Sequence, residues 1–497
     1  MNRSLSKKTK KIIALIVAAI ILVGAGITVF FKTYHVYETK VVAPTCQSKG
    51  YTESSCKICG DIQRKDFVDA LGHDWDDIKV NTPATEVTFG ESLQICKRCK
   101  KESKNKIEPT STMKKFFFTG DAFDVDDSLS TNGVIKYSYK GKESEYYVRL
   151  QYSRISEASR YTKHDYQISF FNDKQLKENA VLDLMDNGPS LTTWNFLGNF
   201  YDAYNVRNSV TTELFKQVRK TSKAIDKRLE KFYGTSDSEP VLFFVNDTFL
   251  GVFRLSIPSG SYTMNVDNNA KDCAIIRSNS SNSVSYFKAF DKQNSIWKIR
   301  YNSTSNTNWI YNSINTMTDF VINSDKKQFK KGISQYLDVD GMIDYMVTVY
   351  CSGAADNVGR AFMLQTYNKK IWTPVIYDAS ASLGMNMVGK LDTFEDRLVP
   401  EKKSDGTISS GTGSLLWDKM LESFNKEIKQ KYNEVKNSVF SVKNVTRLYD
   451  KFKNQVPKSI YNAEKELYTP VDYKFNFKDE YTKFKKSRNT ILDGYFK

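Results

Sequence analysis

Two acidic residues flank a strand–turn–strand pattern in the second half of the chain. Asp356 and Asn357 precede two strand-like runs, 362–367 and 371–377, and Asp378 follows the second run. Phosphoryl transfer needs one acid near the attacking hydroxyl and another on the Mg²⁺ that bridges the phosphates. Two carboxylates placed in this way could fill both roles. The alternative interpretation is a pair of surface acids on an ordinary hairpin.

The composition limits which proteins could carry such a site. With 497 residues the chain has room for two or three domains, and 40% hydrophobic and 13% aromatic residues are enough to bury a sizeable core. The net charge of +16 favours an anionic neighbour such as a membrane surface, a wall polymer or a nucleotide. No nucleic-acid-binding motif is present, so nucleic acid is an unlikely partner.

An uncharged segment near the N-terminus predicts a membrane anchor. Residues 12–31 contain no charged residue, and 20 residues at about 1.5 Å each reach the roughly 30 Å of a bilayer core. Five basic residues precede the segment and Lys32 alone follows closely. The positive-inside rule therefore places the N-terminus in the cytoplasm and the rest of the chain outside. A cleaved signal peptide is the alternative, but Thr28-Val29-Phe30-Phe31 makes a poor cleavage site.

Five of the seven cysteines lie in a segment that looks internally repeated. Cys56-Lys57-Ile58-Cys59 and Cys96-Lys97-Arg98-Cys99 are two CxxC knuckles, whose spacing allows both thiolates to bind one tetrahedral ion. Cys46 precedes the first knuckle, and Glu86 stands in the same register before the second. With Thr45, Gly50, the first knuckle and Ala70-Leu71-Gly72-His73, the segment resembles small zinc-ribbon-like Cys-repeat modules of bacterial surface proteins.

Two structural zinc sites compete in this segment, and a disulfide-bonded segment is the alternative in an oxidising exterior. The candidate ligand sets are Cys56, Cys59, Cys96 and Cys99, or Cys46, Cys56, Cys59 and His73. Either set would use four protein ligands, which leaves no open position for catalysis.

The composition changes from about Met113, where strand-like runs begin. These runs are 115–119, 134–139, 145–152 and 166–171. Helical patterns follow later, and the apolar residues from Trp417 to Val435 recur on one helix face. A strand-rich part before a helix-rich part predicts an α+β fold, an order that a two-lobed kinase-like domain also has.

Four blocks in this region resemble the CotH family of atypical, spore-coat-protein-H-like kinases. The first is a Ser-rich turn, 156–162, with Lys163 and a strand. The second runs from Trp194 to the pair Arg207-Asn208. The third is the hairpin pattern 241–255, and the fourth contains Asp356-Asn357, Asp378 and Gly384.

The resemblance implies a Mg-ATP-dependent protein kinase and assigns roles to individual residues. Lys163 becomes the catalytic, phosphate-binding lysine, and Arg207 and Asn208 belong to the nucleotide site. Asp356 becomes the catalytic base or orienting acid, while Asn357 and Asp378 become the magnesium ligands. The implied substrate is a hydroxyl side chain of a surface or coat protein.

Three departures from the family pattern bear on activity. Ser256-Ile257-Pro258 stands where an acid is expected, Arg360-Ala361 where an Asn is expected, and Ser380 replaces the second acid of an Asp-x-Asp pair. The alternative is therefore an inactive, pseudokinase-like surface module that binds a protein or an anionic wall polymer.

The sequence thus predicts four segments: a cytoplasmic basic tail, an anchor, a Cys-rich module and an atypical kinase-like α+β domain. Their predicted bounds are 1–11, 12–31, 32–110 and 111–497.

Overall fold

The computed structural model describes most of the chain, with gaps. The described residues are 6–120, 130–152, 163–186, 188–222, 226–235, 237–267, 269–280, 285–292, 296–386, 389–393, 395, 397–468 and 476–496. The chain forms two compact units, Met1–Thr85 with Phe89–Pro109, and Glu86–Thr88 with Thr110–Lys497. The Ser-rich turn of the predicted first block, 156–162, lies outside the described residues.

The first unit begins with a long apolar helix, α1 (Lys7–Thr33). Its stretch Lys7–Ile27 is long and apolar enough to cross a membrane, and none of that stretch is buried by the rest of the chain. A helix whose apolar side chains are not covered by other parts of the protein is suited to a lipid environment. A signal sequence would have the same properties, so the helix alone leaves both interpretations open.

Two three-stranded antiparallel sheets follow and match the predicted repeat. The strands are β1 (Tyr37–Val42), β2 (Gly50–Cys56) and β3 (Ile62–Val68), then β4 (Lys79–Thr82), β5 (Gly90–Ile95) and β6 (Glu102–Ile107). Gly50 and Gly90 begin the middle strands. A Cβ there would lie 2.6 Å from Pro44 Cδ or 2.5 Å from Ala84 N, so the preceding loop passes too close for a side chain.

The second unit starts with a closed seven-stranded barrel in the order β10-β11-β13-β12-β7-β8-β9. Its strands are β7 (Lys115–Gly120), β8 (Ser130–Tyr139), β9 (Lys142–Tyr152), β10 (Tyr166–Phe171), β11 (Thr193–Leu197), β12 (Ser238–Val245) and β13 (Thr248–Ser256). Large side chains such as Phe116, Trp194 and Phe243 fill its interior, because alternate residues of each strand point inward.

The second part of this unit is helix-rich. Its helices are α2 (Arg207–Arg219), which lies between β11 and β12, α3 (Ser261–Met264), α4 (Asn308–Asn323), α5 (Lys326–Gly332), α6 (Val339–Ser352), α7 (Leu415–Val435), α8 (Val442–Lys453), α9 (Lys458–Leu467) and α10 (Phe477–Phe496). A four-stranded antiparallel sheet, in the order β15-β14-β16-β17, contains β14 (Ala274–Ser278), β15 (Trp297–Asn302), β16 (Met363–Thr366) and β17 (Trp372–Val375). A two-residue pair, β18 (Glu401–Lys402) with β19 (Ile408–Ser409), completes the strands of this part. The predicted α+β order is confirmed.

Helix α6 is the most buried helix of this part, with every residue from Gly341 to Ser352 buried. Asp338 caps its N-terminus by accepting a hydrogen bond from Gly341 N at 2.9 Å. Gly353 ends the helix with a φ of 67°, a left-handed conformation that glycine adopts without strain. The chain then enters a short 3-10 turn, Ala355–Val358, so a rigid helix in the core fixes where Asp356 and Asn357 lie.

Helix α7 confirms the predicted apolar face. Trp417, Met420, Leu421 and Ile428 are among its buried residues, although Phe424 has non-helical angles that kink the helix. The third block is likewise the predicted hairpin, β12–β13. Asn246 and Asp247 form its two-residue turn, both with positive φ, as a type I′ turn requires.

The β8–β9 hairpin generates a stability prediction. Lys140 (φ 50°) and Gly141 (φ 74°) form its turn, and lysine is a poor residue for the left-handed region. We expect Lys140→Asn to raise the unfolding free energy by up to about 1 kcal/mol and Gly141→Ala to lower it by about 1–2 kcal/mol. Thermal unfolding of the two variants measures both effects. Shifts of the same sign would contradict a type I′ turn.

Candidate active site and metal centres

The 3-10 turn after α6 carries the first predicted pair. Tyr345 of α6 donates a hydrogen bond from Oη to Asn357 O at 2.7 Å, which ties the turn to the buried helix. The Asp356 side chain is 29% exposed, whereas Asn357 is fully buried. The Asp356 side chain is therefore partly open to solvent, while the Asn357 side chain is enclosed by the fold.

Asp378 lies beside this pair. It follows β17, and Asn357 Nδ2 donates a hydrogen bond to its backbone oxygen at 3.1 Å. On the other side, Ala379 N donates to Asn208 Oδ1 at 2.8 Å. Asn208 belongs to α2, so this helix and the 3-10 turn after α6 fix the backbone around Asp378, whose side chain is 39% exposed.

Each carboxylate has an arginine partner. Arg360 Nη2 lies 3.3 Å from Asp356 Oδ2, and Arg277 Nη2 lies 3.4 Å from Asp378 Oδ2. Arg277 also donates from Nε to Arg360 O at 3.1 Å, which joins the two pairs. Burial raises the pKa of Asp356 above its ordinary value, and the Asp378 charge adds to this, while Arg360 opposes it.

A third carboxylate, Asp165, lies near Asp378 and was not predicted from the sequence; we call Asp165, Asp356 and Asp378 the acidic cluster. Asp165 Oδ1 accepts hydrogen bonds from Gly198 N at 2.6 Å and Asn199 N at 3.2 Å. Burial raises the pKa of Asp165, and the charge of Asp378 adds to that rise. Asp165 lies within the first block, immediately before β10, but nothing local distinguishes it from other strand-end acids.

Ser380 and Tyr201 extend the same network. Ser380 Oγ donates to Asp378 Oδ1 at 3.0 Å and also lies 2.6 Å from Tyr201 Oη. Burial and the neighbouring Asp378 charge raise the pKa of Tyr201 well above its ordinary value. Ser380 therefore positions Asp378, although it replaces the acid that the family pattern has there.

Lys163 forms a buried ion pair with an acid far along the chain. Its Nζ lies 2.6 Å from Glu464 Oε1 of α9 and 2.7 Å from Val252 O of β13. The same Oε1 accepts a hydrogen bond from Val252 N at 2.9 Å. A Cβ on Gly251 would lie 2.6 Å from this oxygen, so a glycine is needed for the close approach. Glu464 was not predicted from the sequence, because the family pattern places the partner acid at 256–258.

Arg207 is buried inside the fold. The side chain is fully buried, with Nε 3.7 Å from Asp202 Oδ1 and Nη1 donating to Leu383 O at 3.2 Å. Phe477 of α10 lies 5.2 Å from its guanidinium carbon. Arg207 thus links α2 to the loop after Asp378, and its predicted part in nucleotide binding stays a prediction.

The acidic cluster and Asn357 offer oxygen ligands of the kind that magnesium prefers. Asn357 Oδ1 is buried and has no hydrogen-bond partner among the described residues. An unsatisfied buried amide oxygen is costly unless a ligand or ion takes it. Together with the half-exposed Asp378 carboxylate, it fits the predicted magnesium pair.

The cysteines group differently from both predicted ligand sets. One cluster joins ligand atoms of Cys46, His73, Cys96 and Cys99, and the other joins those of His35, Cys56 and Cys59. In each cluster these atoms lie within 4.8 Å of one another. The grouping differs from the predicted sets because residues 70–73 follow the first sheet and bring His73 to the second knuckle. Arg98 of that knuckle donates to Leu71 O and Gly72 O.

The first cysteine of each knuckle has a lowered pKa, which favours its thiolate form. Burial raises the pKa of Cys56, but hydrogen bonds from the backbone of Cys59 and Ile58 and from His35 outweigh it and lower the pKa to about 6. Burial of Cys96 is similarly outweighed, and its pKa is lowered to about 5. Thiolates at neutral pH suit metal binding.

The Lys163–Glu464 pair generates a stability prediction. Removing one member of a buried pair leaves an uncompensated charge, so Glu464→Gln should lower the unfolding free energy by about 3–5 kcal/mol. Chemical denaturation measures this change. The matched control is Glu466→Gln, an exposed acid of the same helix, which should change stability by less than about 0.5 kcal/mol. Equal effects of the two variants would contradict the importance of the pair.

A family model described as CotH kinase protein matches residues 138–493, which is more than half of the chain. A search of curated proteins gives no match. The matched residues include every active-site position described above, from Lys163 to Glu464. This chain belongs to the CotH kinase protein family.

Proposed function

We propose that the protein is a membrane-anchored, outward-facing kinase that transfers the γ-phosphate of ATP to Ser or Thr hydroxyls of a surface or coat protein. The observation that carries the proposal is the proximity of Asp356, Asn357 and Asp378 to one another in a CotH kinase domain. The apolar helix α1 and its basic flank support the anchor and its orientation.

Asp356 would receive the proton of the acceptor hydroxyl. Its carboxylate is partly exposed, while the backbone of its turn is fixed by Tyr345 and α6. Because phosphoryl transfer depends mainly on positioning and charge, a fixed acid can orient a hydroxyl without forming covalent bonds. Arg360 favours the ionised form of Asp356, the form that can accept a proton.

Asn357 and Asp378 would hold magnesium, and Lys163 would hold phosphate oxygens. Magnesium, when bound, supplies positive charge that stabilises the developing charge on the phosphates. Glu464 and Val252 O fix the Lys163 ammonium, as a carboxylate fixes the phosphate lysine in other kinases. Asp165 lies close enough to both Lys163 and Asp378 for their charges to act on its pKa.

An inactive surface module of the same fold is the second candidate, with a protein or an anionic wall polymer as its ligand. The arginine partners of both acids favour it. An arginine beside Asp378 neutralises the charge that would attract a cation, so magnesium has to displace or share that contact.

Nucleotide binding separates the two candidates. In calorimetric titrations of the full chain in detergent, we expect Mg·ATP to bind the wild type and Asp319→Asn, an exposed control, but not Asp378→Ala. Asp356→Asn should still bind and should lose labelled-phosphate transfer to a Ser-rich peptide by at least about 100-fold. No binding at millimolar ATP would support the inactive module.

The pH dependence of transfer tests the role assigned to Asp356. Only the ionised acid accepts a proton, and its pKa is raised, so kcat/KM should fall on acidification at a pH above the ordinary aspartate value of about 3.9. Arg360→Gln removes a charge that lowers this pKa, so the acidic limb should move to higher pH. If the acidic limb of the Arg360→Gln profile lies at the same pH as that of the wild type, Asp356 is not the base.

A further inference from the structure

The two knuckles are equivalent in their backbone hydrogen bonds. In the first, Gly60 N donates to Cys56 O and Lys57 N donates to Val36 O, both at 2.9 Å. In the second, Lys100 N donates to Cys96 O at 2.9 Å and Lys97 N donates to Asp74 O at 2.7 Å. Val36 and Asp74 therefore occupy the same position relative to their knuckles.

The residue before this position is histidine in both repeats. His35 Nδ1 lies 3.1 Å from Cys59 Sγ, and His73 Nδ1 lies 3.3 Å from Cys99 Sγ. Each knuckle is thus accompanied by one imidazole on its second cysteine. Two thiolates and an imidazole are three of the ligands that a tetrahedral zinc site uses.

The fourth ligand distinguishes the two clusters. Cys46, from the loop between β1 and β2, places its Sγ 3.8 Å from Cys96 Sγ and so completes the second cluster. In the first cluster only three ligand residues come together among the described residues. The nearby Asp61 carboxylate is already engaged by Tyr37 Oη at 2.7 Å and Gln63 Nε2 at 3.0 Å.

The repeats are thus arranged as an array, in which a cysteine of one repeat supplies the fourth ligand residue to the cluster at the knuckle of the next. Cys46 of the first repeat serves the second knuckle, and Glu86 stands in the Cys46 register of the second repeat. No third CxxC knuckle follows in the sequence, so a cysteine at position 86 would have no knuckle to complete. Helix α1, which precedes the first repeat, contains no cysteine that could supply a thiolate to the first knuckle.

We propose that the chain binds two zinc ions in different coordination. Cys46, His73, Cys96 and Cys99 form a closed structural site between the repeats. His35, Cys56 and Cys59 form a site with three protein ligands, in which water or an added ligand takes the fourth position. The first zinc is held by the fold, and the second is exchangeable.

Metal content tests the number and membership of the sites. The full chain, purified in detergent under anaerobic conditions with zinc, should contain two zinc ions per chain by elemental analysis. Cys59→Ser and Cys99→Ser should each retain one, and the control Cys273→Ser, an isolated cysteine, should retain two. A single zinc that either variant abolishes would show one joint site and overturn the proposal, as would a zinc-free chain with oxidised cysteines.

Zinc release to a colorimetric chelator tests the difference in coordination. The first measurement uses the unsubstituted chain, so its result does not depend on whether a variant folds. The wild type should release zinc in two phases of equal amplitude, and Cys59→Ser should lose the fast phase. Cys46→Ser removes the fourth ligand of the closed site, so its slow phase should become fast. A single phase in the wild type would overturn the assignment of a closed and an exchangeable site.

Discussion

A carboxylate and an ammonium that are both buried determine how the barrel and the helix-rich part fit together. Lys163 precedes β10, Val252 belongs to β13, and Glu464 reaches both from α9. Moving either charge out of water is costly, and their mutual contact, together with hydrogen bonds to the Val252 backbone, offsets that cost. A shift of α9 would leave a buried charge without its partner. The ion pair therefore fixes α9 against the β12–β13 hairpin.

The same part of the chain also fixes Asp165 of the acidic cluster. Asp165 lies two residues from Lys163 and accepts backbone hydrogen bonds from Gly198 and Asn199, so the loop after β11 is fixed by the same strand. From the opposite side, the buried helix α6 fixes Asp356 and Asn357. The three acids therefore come from separate elements of the fold, and Arg277 and Arg360 lie beside Asp378 and Asp356. Like charges this close need such balance or a cation.

The stability of the Cys-rich repeats depends on a different interaction. Small three-stranded sheets bury little apolar surface, and domains of that size commonly need metals or cross-links to be stable. Cys46 and Cys96 are 50 residues apart in sequence, yet their sulfurs lie 3.8 Å apart. The cluster thus ties one repeat to the next, whereas His35, Cys56 and Cys59 stay within the first repeat.

The sequence by itself determined what short-range patterns encode. The apolar face of α7, the β12–β13 and β16–β17 hairpins and the CxxC knuckles depend on neighbouring residues, and each follows from spacing and turn chemistry. The proximity of Asp356, Asn357 and Asp378 was predictable for the same reason, since one hairpin separates them. Only the tertiary structure decided the partners that lie far apart in the chain. Glu464 pairs with Lys163 across 301 residues, and Cys46 joins the second knuckle rather than the first. Burial and packing select such partners, and a single sequence carries no local signal for either.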